Sequence, residues 1–384
     1  MSLTNIMGLL GGLALFLYGM QMMSQGLENA AGNKMQQILE KLTANRFLGV
    51  LVGALITAVI QSSSATTVMV VGFVNAGMMT LNQAVWIIMG ANIGTTITGQ
   101  LIALDAGAVA PIIAFIGVIL IIFSKKEKIG YVGSILAGLG ILFIGMDMMG
   151  GSMEPLAQSQ SFISLLTKFS NPILGILAGT IFTAIIQSSS ASVGILQALA
   201  GSGIVTLDSA AFILFGQNIG TCITAFLAAL GANRNAKRTT IIHITFNVIG
   251  TIIFTILCIT TPLIPVLQGM TESVPKQIAN LHTMFNVTTT LILLPFGTAL
   301  TKLAQHILPD PKTGEPVQGQ IGHLLTKNSD VLGMASITLE ETKRKLEDML
   351  LLAEQNVHSS YEVFLQCDRN VFQQIEKREE QVDE

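Results

Sequence analysis

The sequence is short of charge. Of its 384 residues, 11% are Asp, Glu, Lys or Arg, against about a quarter in soluble domains. Hydrophobic residues make up 51%, and the mean hydropathy is +0.64. That deficit excludes a soluble fold of this size. The scarcity is also uneven: charges are sparse from Gly8 to Leu308, mostly in short loops, and dense from Asp310 to Glu384. The first three hundred residues therefore belong in lipid and the tail in water. A net charge of −3 gives no reason to invoke nucleic acid. Cys222, Cys258 and Cys367 lack paired spacing and read as reduced thiols. Met1–Met23 has neither a basic leading stretch nor a small-residue cleavage site, so it reads as a retained first helix. No nucleophile stands at a recognisable spacing from a base, and there is no metal cluster or nucleotide loop, so an enzyme is not expected.

What is present is a repeat. Gln61-Ser62-Ser63-Ser64-Ala65 returns 126 residues later as Gln187-Ser188-Ser189-Ser190-Ala191, and Asn92-Ile93-Gly94-Thr95 returns as Asn218-Ile219-Gly220-Thr221. Gly19-Met20 returns as Gly145-Met146, and Glu28 as Glu154. Without a gap, 28 of the 60 positions from Asn45 to Leu104 match their partners in 171–230, which chance does not give in one register. The unit runs from about Gly8 to Leu104 and again from Ser134 to Leu230.

Lengths then divide the apolar segments. A spanning helix needs about 20 residues. Segments 6–23, 83–104, 133–150, 209–230, 239–260 and 280–306 qualify, with Asn-Ile-Gly-Thr interrupting two of them. Segments 47–60 and 66–79, and their counterparts 172–186 and 191–205, are too short to cross and flank the polar Gln-Ser-Ser-Ser. They read as re-entrant hairpins whose tips are buried in protein or line a cavity. Lysines and arginines collect in loops 24–46, 124–130 and 231–238 and are nearly absent from 151–171 and 105–110. The positive-inside rule then sends hairpin one in from the cytoplasm and hairpin two from outside, with segment 109–123 inverting the second unit. The expected fold class is an all-α membrane protein. It is an inverted-repeat secondary transporter with two re-entrant helical hairpins and discontinuous helices, set in the plasma membrane with a cytoplasmic C-terminal tail.

Three consecutive serines supply donors and acceptors in a small volume. The second arm of each hairpin starts right after them, so a helix N-terminus with its open N–H groups points at the midplane, a cradle suited to an oxyanion. Neither hairpin contains Lys or Arg, so an anion there would be balanced by dipoles, hydroxyls and co-bound cations. Gln61, Gln187, Asn92, Asn218, Thr95, Thr221, Thr98 and Thr224 offer the neutral oxygens that sodium favours. The many glycines and methionines read as packing. His243-x-x-Phe-Asn247 and His282-x-x-Phe-Asn286 put His and Asn on one helix face, either for function or for a helix-to-helix hydrogen bond. Asp147, whose repeat partner is Gln21, either neutralises a cation or lies at the membrane edge.

The duplicated Gln-Ser-Ser-Ser, each followed by Asn-Ile-Gly-Thr in Met89–Thr98 and Phe215–Thr224, resembles the type II sodium–phosphate cotransporter family, as does His243-Ile-Thr-Phe-Asn247. The resemblance covers about Gly8 to Leu308. It implies sodium-driven symport of inorganic phosphate, with phosphate and sodium held between the hairpins. Carried over, phosphate falls to Ser62, Ser63, Ser64, Thr66, Ser188, Ser189, Ser190 and Ser192, and sodium to Gln61, Thr67, Asn92, Thr95, Gln187, Asn218 and Thr221. The implied partners are phosphate, sodium ions and the lipid bilayer; a homo-oligomer is compatible with all of this. In one respect the chain departs from a paired pattern: no His-x-x-Phe-Asn follows Leu104. The transporter domain ends near 308, and a Pro- and Gly-containing linker covers 309–328. The tail, 329–384, resembles the start of a PhoU-like helical domain. Another small oxyanion, or export, fits the same chemistry. A membrane-anchored regulatory scaffold is the alternative of another class.

Overall fold

The structure is a computed structural model that describes residues 3–31, 45–104, 106–157, 159, 168–310 and isolated positions between 350 and 360. The chain divides into two units, Met1–Gly314 and Glu315–Glu384. The expected linker and PhoU-like tail lie almost wholly outside the described residues.

No strand occurs among the described residues. In chain order the helices are α1 Leu3–Ala31, α2 Arg46–Ile60, α3 Ser63–Asn75, α4 Leu81–Gly94, α5 Thr96–Ile102, α6 Ala110–Phe123, α7 Glu127–Ala157 and α8 Pro172–Ile186. They continue as α9 Ser189–Gly201, α10 Leu207–Gly220, α11 Cys222–Ala228, α12 Arg234–Thr260, α13 Leu263–Met270, α14 Val274–Leu293 and α15 Gly297–Ile307. Among the described residues, six stretches are long and apolar enough to cross a membrane: Leu3–Ala31, Leu81–Ile102, Glu127–Met153, Leu207–Ala228, Arg234–Thr260 and Val274–Ile307. The last begins earlier than the sequence suggests and is interrupted by the 3-10 turn Leu294–Phe296, where Pro295 removes a backbone donor. The two long helices of each repeat break at one residue only, Thr95 and Thr221, with φ near −63° and ψ −22°. Both residues keep helical dihedrals and bond back to the Ala91 and Gln217 carbonyls, so the expected discontinuity is a one-residue break with no unwound segment.

The repeat is carried into structure element by element. α2 to α5 and α8 to α11 have the same bounds shifted by 126 residues. The local causes repeat too. Asn45 and Asn171 cap α2 and α8, and Ser62 and Ser188 cap α3 and α9. Small residues let the backbones close up. Gly53 lies against the Ile87 carbonyl, Gly90 against Val50 and Gly94 against Ala54, so α2 and α4 run side by side in the same direction. Gly179, Gly216 and Gly220 meet Ile213, Ile176 and Thr180 in the same way between α8 and α10.

Contacts between repeats are reciprocal. Gly12 lies against Gly145 and Gly19 against Gly138, and Gly26 lies against Tyr131. Since position 145 repeats 19 and 138 repeats 12, α1 meets its own counterpart α7, and meets it antiparallel. A second such pair is α12 with α14, related by the 39 residues that separate the two His-x-x-Phe-Asn motifs. Thr251 donates to the Phe215 carbonyl (3.2 Å) and Thr290 to the Met89 carbonyl (3.3 Å), and position 215 repeats 89. The partner of the motif in α12 therefore stands in α14, which explains its absence after Leu104. α12 and α14 cross antiparallel, with Gly250 against Thr289. The core beside this crossing is aromatic: the Phe215 and Phe285 rings stack at 5.3 Å, and Phe254 closes on Phe285 at 5.1 Å.

The loops fall into two sets. At one end Asn233 bonds Asn75, Arg234 donates to the Pro309 carbonyl, and buried Arg238 pairs with Asp310 at 2.8 Å. At the other end Ser170 bonds Ser209, Gln268 reaches Asp208, and Gly201 lies against Pro275. Asp147 is exposed and stands over Gly107.

Candidate functional site

Between α2 and α3 the chain reverses in two residues. Gln61 caps α2 with φ 58° and ψ 21°, and Ser62 opens α3 by accepting from the Ala65 N–H at 3.1 Å. Gln187 and Ser188 repeat this turn, with φ 60° and a 3.2 Å cap bond from Ala191. Gln61 and Gln187 are the only non-glycine residues of positive φ among the described residues. A helix ending in this way normally takes glycine. Glutamine at both turns therefore carries a strain that its side chain must justify.

The two turns meet. Ser63 Oγ and Ser189 Oγ stand 3.3 Å apart. Around them the contacts exchange across the repeat: Ser64 Oγ reaches the Gln187 carbonyl at 3.5 Å, and Ser190 Oγ reaches the Gln61 carbonyl at 3.4 Å. Thr95 Oγ1 lies 3.4 Å from Ser189 Oγ, and Ser190 Oγ lies 3.3 Å from Thr98 Oγ1. These separations exceed the ~2.7–2.8 Å of a settled O–H···O bond. The hydroxyls are gathered without satisfying one another, so they can turn to a third group. The arms beneath are braced by the Thr57–Thr66 hydroxyl pair at 2.9 Å. Thr57 and Thr183 escaped sequence reasoning, although they match at the repeat offset.

The expected site residues separate into groups. Gln61, Ser63, Ser64, Gln187, Ser189, Ser190 and Thr95 converge at the meeting of the turns. Ser62 and Ser188 face the helix ends they cap. The Thr66 and Thr67 hydroxyls are held by the Ser62 and Ser63 carbonyls within their own helix. Ser192 and Thr221 have buried hydroxyls with no hydrogen-bond partner. Asn92 and Asn218 donate back to the Ile88 and Leu214 carbonyls, each at 2.9 Å.

The two halves are not equal. Gln61 is buried, accepts from Thr98 Oγ1 at 2.8 Å, and donates to the Ala58 carbonyl. Gln187 is exposed, and Thr224, the counterpart of Thr98, bonds the Thr221 carbonyl instead. Hairpin two also packs differently from hairpin one. Phe16 of α1 is fully buried against Gly194 of α9, whereas Val68, at the matching position of α3, is exposed. Groups of three or more His, Cys, Asp or Glu that could hold a metal are absent among the described residues.

The sequence profile of a family described as Na+/Pi-cotransporter matches residues 15–151 and 145–263. The chain is 32% identical over 299 residues to the uncharacterised protein YqeW of Bacillus subtilis, covering 77% of this chain and 95% of that protein. It is 26% identical over 314 residues to the candidate inorganic phosphate export protein YjbB of Escherichia coli, covering 80% of this chain and only 56% of that protein. A stretch of 98 residues, 25% of this chain, is 38% identical to sodium-dependent phosphate transport protein 2B of Homo sapiens, of which it covers 14%. No solved structure matches the chain.

Proposed function

The chain belongs to the Na+/Pi-cotransporter family, and from that premise we propose that it moves inorganic phosphate across the membrane together with sodium ions, by alternating access of two inverted repeats. One observation carries the reading: the two Gln-Ser-Ser-Ser turns meet, Ser63 to Ser189, with their contacts exchanged across the repeat.

The chemistry favours an anion at that meeting point. The cap bonds engage Ala65 and Ala191, so the N–H groups of Ser63, Ser64, Ser189 and Ser190 come earlier, in the open first turn of α3 and α9. Two such ends and their hydroxyls suit an oxyanion. Re-entrant hairpins are supported by length: arms of 15 and 13 residues rise roughly 20–22 Å, short of the ~30 Å of a bilayer core. Inversion is supported by the antiparallel meeting of α1 with α7. Alternating access is supported by the inequality of the halves, since one tip glutamine is buried and the other open. The end that holds Arg46, Arg234, Lys237 and Arg238 would face the cytoplasm, along with the exit of the tail.

The test is labelled phosphate uptake by the purified chain in liposomes. Uptake that rises severalfold with an inward sodium gradient is expected; uptake indifferent to sodium would remove the reading. Export is a second reading, favoured by the name of the YjbB relatives, inorganic phosphate export protein. It predicts that phosphate loaded into cells leaves faster when the chain is expressed, whatever the sodium gradient.

A further inference from the structure

The hairpins and the helices that carry them obey the repeat on both sides at once. The α9 arm is tied at Gln197, which is buried and donates to the Gly99 carbonyl of α5 and the Pro275 carbonyl of α14, each at 3.0 Å. The counterparts of these three residues, Val71 on α3, Ala225 on α11 and Ala236 on α12, meet in one buried cluster. The Ser63–Ser189 meeting and the Thr251 and Thr290 bonds are likewise shared by the two halves. A body closed in the same way on both sides need not reshape itself to pass from one state to the other.

The antiparallel pair α1 and α7 breaks this equality. Within itself the pair is symmetric, Gly12 with Gly145 and Gly19 with Gly138, and α6 is packed onto α7 through Gly117 and Gly140. Yet it lies along one hairpin arm only. Phe16 sits so close to Gly194 that a Cβ there would fall 2.1 Å from its ring, and Gly150 of α7 faces Ser202 at the end of α9. Met149 and Ala198 are buried in the cluster that holds Phe16. On α3 the matching line, Ala65, Val68 and Gly72, is exposed, and Gly72 has nothing within 4 Å of a Cβ position. That line starts at the tip, where Ser64 reaches the carbonyl of exposed Gln187, and runs to Asn75 and the basic end. Polar backbone at such depth stays open only toward a water-filled cavity. The uncovered line therefore fits an aqueous route to the tips from the basic end, and the covered line a route that is shut.

We propose that Phe16 is the gate of the shut route. The helices α1, α6 and α7 shear as one body past the hairpins. In the opposite state Leu142, which repeats Phe16, seats on Val68, and Gly194 and Ala198 are laid open. The larger plug meets the glycine and the smaller one the valine. That the gate alternates rests on the transport reading above; the present seating of Phe16 does not.

The experiment labels the full chain with an impermeant maleimide in right-side-out and in inverted membrane vesicles, washed free of phosphate, in a background lacking Cys222, Cys258 and Cys367. Val68→Cys is expected to react from the basic face and Ala198→Cys from neither. Gly194→Ala drives a methyl group into the Phe16 ring. It should slow Val68→Cys at least tenfold and speed Ala198→Cys at least tenfold from the opposite face, and adding Phe16→Ala should restore the reaction of Val68→Cys. If Gly194→Ala does not fold, Val68→Cys combined with Leu142→Cys decides: oxidation with copper phenanthroline should join the two thiols. Val68→Cys unreactive from the basic face, rates unmoved by Gly194→Ala, or thiols that fail to join would each overturn the gate. The expected pattern in a chain that carries no phosphate would strike the transport reading and leave the gate standing.

Discussion

Gln61 illustrates the tension at single residues. Its backbone sits where an L side chain costs roughly 1–2 kcal/mol, and glycine would sit there freely. Its amide bonds Thr98 and the Ala58 carbonyl, worth about 1 kcal/mol each. The two nearly cancel, so Gln61→Gly should melt within a few degrees of the wild type while phosphate uptake collapses. Thermal denaturation beside liposome uptake checks this. The serines divide differently. Ser188→Ala removes a helix cap and should cost about 1 kcal/mol of stability. Ser189→Ala should leave melting unchanged and lower the affinity for phosphate at least tenfold, because Ser189 caps nothing and touches Ser63 and Thr95.

Elements are held by close backbone approach. A Cβ at Gly53 or Gly179 would meet the carbonyl of Ile87 or Ile213, main chain that cannot turn aside. Gly72 has nothing within 4 Å of that position. Gly179→Ala should therefore destabilise by about 1–3 kcal/mol, seen as a lower yield of monodisperse protein. Gly72→Ala in the interior of α3 should be neutral or raise stability by up to ~1 kcal/mol. At this scale the sequence is informative. Turn residues and exact repetition locate the arms around Gln61 and Gln187, because polar residues amid short apolar runs leave few alternatives in lipid. The mild break at Thr95 and Thr221 is less legible. Asn-Ile-Gly-Thr looks like a helix breaker on paper, but its Gly94 is used for packing on α2, and the chain stays helical. The recurrence of His-x-x-Phe-Asn relates α12 to α14 in the sequence, but that the two helices cross, and that Thr251 and Thr290 make matching bonds to the two repeats, is seen only in the structure.

At the scale of the whole molecule, the two sets of loop contacts predict which ends share a face of the membrane. A cysteine in place of Asn235 and one in place of exposed Ala76, beside the Asn75 that bonds Asn233, should react with an impermeant thiol reagent from the same side. One in place of Asn171 should react only from the other side, in a background lacking Cys222, Cys258 and Cys367. Reaction of all three from one side would refute the inverted arrangement. The convergence of Ser63 with Ser189 could be anticipated from the repeat, while the inequality of Gln61 and Gln187 could not, because identical residues carry no sign of which half is closed.

The crossing of Gly250 with Thr289 joins two unequal residues. Each occupies the position equivalent to the other, so in two identical halves that place would hold one residue facing its own twin. Two threonines would collide there, and two glycines would leave a void. A side chain at Gly250 would meet the Thr289 hydroxyl, so the seam between α12 and α14 closes only because its two equivalent places are filled unequally.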